Sequence, residues 1–245
     1  MKIKRLLVFL LVILILVLLS VYYPKLTGNY ISNSQNYQKE SCFVSRVIDG
    51  DTLICNNQST RLLGINTPEK KMPYYDEAKD FLKQIENKSV EILRDKEDVD
   101  KYDRKLRYVF YENRLLNSEI LQEGLATSFM LEGLRYEDKF WVAESYAKDN
   151  EIKLWEKSND ECTNCIELLE LNYTDEFFII KNSCDFDCSL EGWSVKDDAN
   201  HIFRLDILDS SESKGYKSKT NIWNDDGDRF FMRDETGKLV VFYEY

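Results

Sequence analysis

Short runs of alternating apolar and polar residues characterise the first half of the chain. Five such runs are separated by turn residues, and they cover residues 43–48, 52–55, 60–65, 90–93 and 106–111. The Asp-Gly-Asp sequence between the first two runs is typical of a β-hairpin turn. The pattern therefore predicts five short β-strands.

Helical spacing of apolar residues follows the third of these strands. Ala78, Leu82 and Ile85 recur at intervals of four and three residues, which predicts an amphipathic helix. The pattern also predicts a short second helix with Asn117 as its N-cap and a third helix over residues 137–149. Five strands combined with interspersed helices favour a small β-barrel of the oligonucleotide-binding type.

The last third of the chain lacks a helical period and consists of strand-like runs. They cover residues 166–171, 176–180, 193–195, 201–205, 228–232 and 238–242. This succession of short strands and turns predicts an all-β sandwich. Residues 210–219, which are rich in Ser and Lys, are predicted to form a flexible loop.

The N-terminus has the pattern of an export segment. Basic residues among the first five positions precede an unbroken apolar run over residues 6–19. The run is close to the length that spans a membrane, and the basic residues before it predict a cytoplasmic N-terminus. A cleaved signal peptide is the alternative, but Tyr22 and Tyr23 are bulky for a cleavage site, which favours an uncleaved anchor. The two alternatives predict a single-pass membrane protein with its later domains outside the cell, or a secreted protein.

Charge is unevenly distributed along the chain. The net charge is −11 overall, with +4 in residues 1–40, −4 in residues 41–157 and −11 in residues 158–245. The acidic C-terminal segment argues against an electrostatic grip on a phosphate backbone there. We predict an N-terminal transmembrane anchor and polar tether over residues 1–40, a central domain over residues 41–157 and a β-sandwich domain over residues 163–245.

Six cysteines fall into three pairs that are close in sequence. They are Cys42 and Cys55, Cys162 and Cys165, and Cys184 and Cys188. An even number of cysteines in an exported protein favours disulfides, and the predicted hairpin brings the first pair close enough to bridge. The other four cysteines are compatible with disulfides between the start of the C-terminal domain and the 184–188 connection. Their spacing is also compatible with a tetrahedral zinc site.

The central segment carries charged residues that suit phosphodiester hydrolysis. That reaction requires cations to neutralise the phosphate, a base to activate water and usually a metal ion. Asp51 lies at the hairpin turn and Arg61 on the third strand, while Thr67 and Glu69 follow in the next loop. Arg104 precedes the fifth strand. Each residue is also compatible with an ordinary turn or surface role, so their spacing alone does not assign a function.

Several linked motifs of the central segment resemble the staphylococcal nuclease family in order and spacing. They are VIDGDT at 47–52, RLLGINTPE at 61–69, DKYDR at 100–104, LNSEILQEGLA at 116–126 and LW at 154–155. The resemblance implies an oligonucleotide-binding-type barrel with three helices and a bound Ca²⁺ ion. It also implies a nuclease whose partner and substrate is DNA or RNA.

The resemblance implies which residues bind the metal ion. Asp51 corresponds to a calcium ligand, and Thr67 to a ligand through its backbone carbonyl oxygen. Asn66 stands where the family usually has Asp, so a neutral amide oxygen replaces one anionic ligand. Carboxylate and carbonyl oxygens are the ligands that Ca²⁺ prefers.

The resemblance also implies the catalytic roles. Glu69 corresponds to the general base that orients water, and Arg61 and Arg104 to the pair that binds and stabilises the phosphate. Guanidinium groups suit this task because each offers paired donors to phosphate oxygens. Lys101 and Tyr102, from the DKYDR motif, are predicted to contact the substrate.

The C-terminal segment resembles the lamin-tail domain, an immunoglobulin-like sandwich. The resemblance rests on DEFFIIKN at 175–182, LEGWSVKD at 190–197 and NDDGD at 224–228. It implies a binding or positioning module, whose ligand the sequence does not identify, and Trp193 is predicted to be a core residue. The predicted fold class is therefore α+β: a five-stranded oligonucleotide-binding-type barrel with three helices, followed by an all-β immunoglobulin-like sandwich.

Three functions remain compatible with the sequence. They are a calcium-dependent nuclease, a module that binds nucleic acid without cutting it, and a surface adaptor that works through its sandwich domain. The intact Arg61, Glu69 and Arg104 favour the nuclease, because a pure binder needs no acid beside two phosphate-binding arginines. Asn66 favours the binding module. His201 is the only histidine, which excludes a nuclease centre built on paired histidines.

Overall fold

Short strands and three helices build the central part of the chain. The computed structural model describes residues 38–130 and 132–245, together with residue 13. The strands of the first half are β1 (Glu40–Val47), β2 (Thr52–Cys55), β3 (Gln58–Leu62), β4 (Ile65–Asn66), β5 (Ser89–Leu93), β6 (Lys105–Tyr111), β7 (Arg114–Leu115) and β8 (Thr127–Ser128). The helices are α1 (Tyr75–Lys83), α2 (Leu116–Gln122) and α3 (Glu137–Asp149).

Strands β1, β2, β3, β5 and β6 form a closed barrel. Neighbours in the order β3-β2-β1-β5-β6 pair antiparallel, and β3 then pairs with β6 in parallel to close the sheet. Val44, Leu53 and Leu62 point into the interior and are fully buried, which explains the apolar alternation in the sequence. The prediction of a five-stranded barrel with three helices is confirmed.

Asn117 does not cap helix α2, so that part of the sequence prediction is wrong. The N-cap is Leu115, and Asn117 lies within the helix and is fully buried. Its side chain accepts a hydrogen bond from the backbone N–H of Val109 and donates to the carbonyl oxygens of Leu63 and Arg107. Because these partners belong to the barrel, Asn117 fastens the helix to the barrel instead of terminating it.

The C-terminal half is all-β apart from a short 3-10 turn. Its strands are β9 (Ile166–Asn172), β10 (Phe177–Asn182), β11 (Cys188–Ser189), β12 (Ser194–Lys196), β13 (Ile202–Arg204), β14 (Ile207–Leu208), β15 (Ser213–Lys217), β16 (Arg229–Arg233) and β17 (Leu239–Glu244). The sheets β15-β10-β9 and β13-β12-β16-β17 enclose a core that contains Phe178, Trp193 and Phe230. The predicted sandwich and the core position of Trp193 are confirmed.

Residues 213–217 form strand β15, whereas the sequence predicts a flexible loop for this stretch. The strand pairs antiparallel with β10 along its whole length. It lies at the edge of its sheet, and the ring of Tyr216 stacks on that of Phe178 at a centroid distance of 5.0 Å. Pairing through the backbone requires no apolar pattern, so the Ser- and Lys-rich composition misled the prediction.

The barrel and the sandwich share a third hydrophobic cluster. Ala147, Leu154 and Trp155, which follow the barrel, are buried together with Phe231 of β16. The ring centroid of Trp155 lies 5.9 Å from that of Phe231 and 5.4 Å from that of Phe242. Residues 38–245 accordingly belong to one compact unit. The sandwich therefore holds a defined position on the barrel.

The predicted membrane anchor lies outside the described residues, apart from Ile13. Within the described part of the chain, no helix is both long and apolar enough to cross a membrane. The anchor and the cleaved signal peptide both stay predictions.

Candidate active site

Closure of the barrel brings two arginines and a carboxylate to one end of it. Arg61 lies opposite Leu106 in the parallel pairing of β3 with β6, close to where Arg104 precedes β6. Arg61 also lies opposite Thr52 in the antiparallel pairing of β3 with β2, beside Asp51. The Nη1 atom of Arg104 donates to the hydroxyl of Thr52 at 3.4 Å. Residues from three separate motifs thus meet at one end of the barrel.

The side chain of Asp51 is buried, and both of its carboxylate oxygens have partners. Its Oδ1 atom pairs with Nη1 of Arg61 at 2.7 Å and accepts a hydrogen bond from the hydroxyl of Thr52 at 2.8 Å. Its Oδ2 atom accepts from the backbone N–H of Thr67 at 3.3 Å. Asp51 therefore links the arginine of β3 to the loop that carries Glu69.

Gly50 permits this close approach of the hairpin turn to the Thr67 loop. A Cβ atom at this position would lie 2.7 Å from the Cβ atom of Ala78 and 2.9 Å from Cγ2 of Thr67. A larger residue would require the hairpin turn, helix α1 or the Thr67 loop to shift. The Asp-Gly-Asp sequence thus has a packing reason in addition to its turn propensity.

Asp49 adds a second carboxylate beside Asp51 and is a site feature that the sequence analysis missed. Burial, and then the negative charge of Asp51, raise the pKa of Asp49 to about 6. The neighbouring Asp51 charge disfavours ionisation of Asp49, because it adds negative charge to a poorly solvated position. A cation bound between them and the nearby loop would offset this repulsion.

Asp51 and residues 66 and 67 of the neighbouring loop carry oxygen atoms of the kind that can bind calcium. The Asp51 carboxylate, the Thr67 carbonyl and the Asn66 amide are hard oxygen ligands of the kind that Ca²⁺ accepts. In the described ranges, no three acidic side chains have oxygens within 4.8 Å of one another. Carbonyl and amide oxygens would therefore share the ligand shell with the carboxylate. The amide oxygen of Asn66 accepts a hydrogen bond from Arg61, which an ion would have to displace.

Arg61 and Arg104 each pair with an acid and keep further N–H groups for other acceptors. Arg61 donates to the carbonyl oxygen of Ile65 at 3.0 Å in addition to its Asp51 contact. Arg104 pairs with Asp100 at 2.7 Å. Their side chains are 14% and 26% exposed, respectively. Two guanidinium groups at one end of the barrel are suited to bind oxygens of one phosphate.

Lys101 and Tyr102, the predicted substrate contacts, lie in the turn before β6. The ring of Tyr102 is 68% exposed. The Cζ atom of Arg104 lies 5.4 Å from the ring centroid, and Nζ of Lys101 lies 5.1 Å from it. An exposed ring among cations is a suitable platform for a nucleic-acid base. Contact of these residues with substrate stays a prediction.

The sandwich contributes one wall of the site through the turn between β12 and β13. Asn66 donates from Nδ2 to the carbonyl oxygen of Asp198 at 2.5 Å. Asn200 donates from Nδ2 toward the carbonyl oxygen of Thr67 at 3.3 Å and Oε1 of Glu69 at 3.4 Å. The sequence analysis missed Asp198 and Asn200, because no local motif connects them to the barrel.

A cavity lies between the barrel and the sandwich beside Glu69. Its lining includes Met72 from the barrel and Lys196 and Arg204 from the sandwich. The guanidinium of Arg204 donates to the sulfur of Met72 at 3.4 Å. Burial lowers the pKa of Lys196 to about 8. The C-terminal segment thus places Lys196 and Arg204 next to Glu69. The acidic net charge of the segment does not indicate this local arrangement.

All six cysteines form disulfides. The bonds join Cys42 to Cys55, Cys162 to Cys188 and Cys165 to Cys184. The disulfide prediction is confirmed, including the link between the start of the C-terminal segment and the 184–188 connection. No free cysteine remains, so the zinc alternative lacks the thiolates that it requires.

Comparison with known proteins accounts for the barrel. A family model described as "Staphylococcal nuclease homologue" matches residues 59–157. The chain is 31% identical over 157 residues to the thermonuclease of Staphylococcus hyicus, which covers 59% of this chain and 93% of that protein. The chain belongs to the staphylococcal nuclease family.

Other relatives of this staphylococcal nuclease family member carry similar names. The thermonuclease of Staphylococcus intermedius is 32% identical over 142 residues, with 53% of this chain and 84% of that protein covered. Endonuclease YncB of Bacillus subtilis is 33% identical over 141 residues, with 51% of this chain and 67% of that protein covered. The family match ends before β9 begins. The resemblance of the sandwich to the lamin-tail domain stays a prediction.

Proposed function

We propose that this protein is a calcium-dependent nuclease that hydrolyses phosphodiester bonds of DNA or RNA outside the cytoplasm. The observation that carries the proposal is the meeting of Arg61, Arg104 and Asp51 at one end of the barrel, with Asp51 bonded to the loop that carries Glu69. The names of the relatives, thermonuclease and endonuclease, support the nuclease activity.

The side chains of the site divide the chemical tasks among them. Arg61 and Arg104 would donate hydrogen bonds to the phosphate oxygens, where negative charge builds up in the transition state. The exposed carboxylate of Glu69 would accept a proton from the attacking water. Asp51 and the Thr67 carbonyl would hold the calcium ion. When bound, that ion would polarise the phosphate and offset its charge.

We expect single strands to be cleaved in preference to duplexes. The site lies at the end of a small barrel, and Tyr102 exposes its ring beside Arg104. A base can stack on this ring only when it is unpaired, and an unpaired backbone reaches a shallow site more easily.

Two features support a location outside the cytoplasm. Disulfides persist in oxidising compartments and are rare in the cytosol, and this chain carries three. The sequence also begins with basic residues followed by an apolar run over residues 6–19, the pattern of an anchor or signal peptide. We propose that the protein is attached to the membrane by this run, or that it is secreted if the run is cleaved.

The proposal is tested by incubating the purified full-length protein with single- and double-stranded DNA and RNA, in calcium or in EGTA. We expect cleavage in calcium only. Glu69→Gln should lower turnover about 100-fold or more and leave nucleic-acid binding nearly intact, as is typical when a general base is lost. Glu112→Gln makes the same charge change at an exposed turn position and should cleave like the parent.

Two results would contradict the proposal in different ways. If the parent binds nucleic acid in calcium and does not cleave it, the protein is the binding module that Asn66 favours. If Glu69→Gln cleaves as fast as the parent, the protein is a nuclease whose base is another group.

A further inference from the structure

Asn200 connects the sandwich to the two groups that the proposed chemistry needs in fixed positions. Its Oδ1 atom accepts a hydrogen bond from Nζ of Lys196 at 2.8 Å. Its Nδ2 atom lies 3.3 Å from the carbonyl oxygen of Thr67 and 3.4 Å from Oε1 of Glu69. A lysine ammonium can only donate, so it orients the Asn200 amide with Oδ1 toward Lys196. The NH₂ group is thereby left for Glu69 and Thr67.

The 197–201 turn holds Asn200 firmly. Asp197 accepts hydrogen bonds from the backbone N–H of His201 at 2.7 Å and from its Nδ1 at 2.6 Å. Asp198 pairs with Arg229 at 2.7 Å. Asn200 itself has φ = 66°, a left-handed conformation in which Asn is enriched over most other residues. These contacts therefore hold the turn, and with it the Nδ2 donor of Asn200, in a fixed position.

A buried ion pair keeps the turn against the barrel. Arg229 of β16 pairs with Glu144 of α3 at 2.9 Å, and both side chains are only 5% exposed. Glu144 also accepts hydrogen bonds from the backbone N–H and the hydroxyl of Ser128, each at 2.6 Å. Since Arg229 binds Asp198 as well, one guanidinium joins the helix of the barrel to the turn that carries Asn200.

We propose that Asn200 is a positioning residue of the nuclease site, which orients the Glu69 carboxylate and the Thr67 carbonyl. The inference rests on the proposed function. Glu69 is exposed, so its side chain would sample several rotamers without a partner. A neutral amide donor restricts these rotamers without adding charge. The contact between Asn200 and Glu69 leaves the site accessible to substrate, because Tyr102 on the Arg104 side is 68% exposed.

A second contact with the same turn involves the residue at position 66. Asn66 donates to the carbonyl oxygen of Asp198, in the turn that carries Asn200. An ionised aspartate has no donor and would set a carboxylate against that carbonyl oxygen. The amide in place of the family's usual Asp therefore makes a hydrogen bond to the docked sandwich that an ionised acid cannot make.

Asn200→Asp is the sharpest single test. The variant keeps an acceptor for Lys196 and replaces the donor to Glu69 with another acceptor. We expect kcat for DNA cleavage in saturating calcium to fall about 10-fold or more, as for other residues that orient ligands of a site, with little change in KM. Asn200→Gly adds no charge, is compatible with the left-handed backbone at this position, and should reduce kcat by a similar factor. Asn221→Asp makes the same change at an exposed position of the sandwich and should match the parent.

A double variant distinguishes positioning from a general structural effect. If Asn200 acts through Glu69, Glu69→Gln combined with Asn200→Asp should be no slower than Glu69→Gln alone. The inference is overturned if the reduction of kcat in the double variant equals the product of the reductions in the two single variants. It is also overturned if Asn200→Asp cleaves as fast as the parent or faster. If Asn200→Asp lowers the melting temperature, Asn200→Gly supplies the same comparison. If the parent protein does not cleave nucleic acid, both the proposed function and this inference are refuted. If the parent cleaves and the Asn200 variants cleave equally fast, only this inference is refuted.

Discussion

The side-chain amide of Asn66 donates a 2.5 Å hydrogen bond to the backbone carbonyl oxygen of Asp198, which lies 132 positions later in the chain. The oxygen of the same amide accepts a hydrogen bond from Arg61. One side chain thus joins Arg61, for which we propose a role in phosphate binding, to the sandwich. An amide can fill both positions because it carries a donor and an acceptor, which an ionised carboxylate does not.

Asn66→Asp should therefore destabilise the protein when calcium is absent. The variant loses the bond to Asp198 and leaves a carboxylate facing its carbonyl oxygen, at a cost of about 1–3 kcal/mol in the free energy of unfolding. Urea unfolding in EGTA measures this cost. Asn221→Asp, at an exposed position, should change the free energy by less than about 0.5 kcal/mol. Equal stability of Asn66→Asp and the parent would show that the bond to Asp198 contributes nothing.

The same substitution should strengthen calcium binding. Affinity in oxygen-ligand sites increases with the charge of the ligands, and Asp supplies a full negative charge where Asn66 supplies a dipole. We expect Asn66→Asp to lower the calcium concentration that gives half-maximal activity. The rate at saturation should change little, because Glu69, Arg61 and Arg104 are untouched. A calcium titration of both proteins decides the point, and identical midpoints would mean that residue 66 does not contact the ion.

Arg229→Met should be among the most destabilising single substitutions at the interface. It leaves Glu144, whose side chain is 5% exposed, as a buried charge without its partner, which typically costs about 3–5 kcal/mol. Arg114→Met breaks an ion pair with Glu119 whose side chains are 44% and 28% exposed, and should cost at most about 1 kcal/mol. Urea unfolding compares the two variants. Similar losses would mean that the Arg229 pair is solvated in solution.

Lys196 should make stability depend on pH between about 8 and 10.5. Burial, and then the positive charges of Arg233 and Arg229, lower its pKa from 10.5 to about 8. The negative charges of Asp198 and Asp197 partly oppose this lowering. In this range the unfolded chain binds the proton and the folded protein does not, so the free energy of unfolding rises with pH. Lys196→Met should lack this rise.

The measurement is urea unfolding of both proteins at several pH values from 7 to 11. Below about pH 8 Lys196 is protonated in both states, and above 10.5 it is neutral in both, so its contribution levels off at each end. The difference between Lys196→Met and the parent should therefore vary only inside this window. A difference in the free energy of unfolding that does not vary with pH would mean that the Lys196 ammonium is solvated in the folded protein.

The strands and helices of the barrel are predictable because their signals are local. The Asp-Gly-Asp turn and the apolar alternation around it specify the first hairpin. The family motifs then assign Asp51, Arg61 and Arg104 to one site, and the parallel pairing of β3 with β6 brings them together. The sequence predicts Asn117 as an N-cap because asparagine is common at the position before an apolar helical run. Only its distant partners in the barrel show why it is buried.

The arrangement of the sandwich against the site is not readable from the sequence. Strand β15 arises from backbone pairing with β10, which leaves no compositional trace. Asn200 and Asp198 sit among ordinary turn residues, and the net charge of their segment points away from nucleic acid. Their contacts with the Asn66–Glu69 loop exist because the cluster of Trp155 and Phe231 holds the sandwich in place.

The sequence by itself determined the barrel, the family motifs that contain Asp51, Arg61 and Arg104, and the Cys42–Cys55 pair. Each of these depends on spacing along the chain, since turns, strand alternation and short motifs are set by neighbouring residues. Only the tertiary structure decided that Asn200 reaches Glu69 and that Asn66 serves two partners. Such contacts join residues more than a hundred positions apart. The packing of two hydrophobic surfaces determines them, and a linear pattern does not record how those surfaces meet.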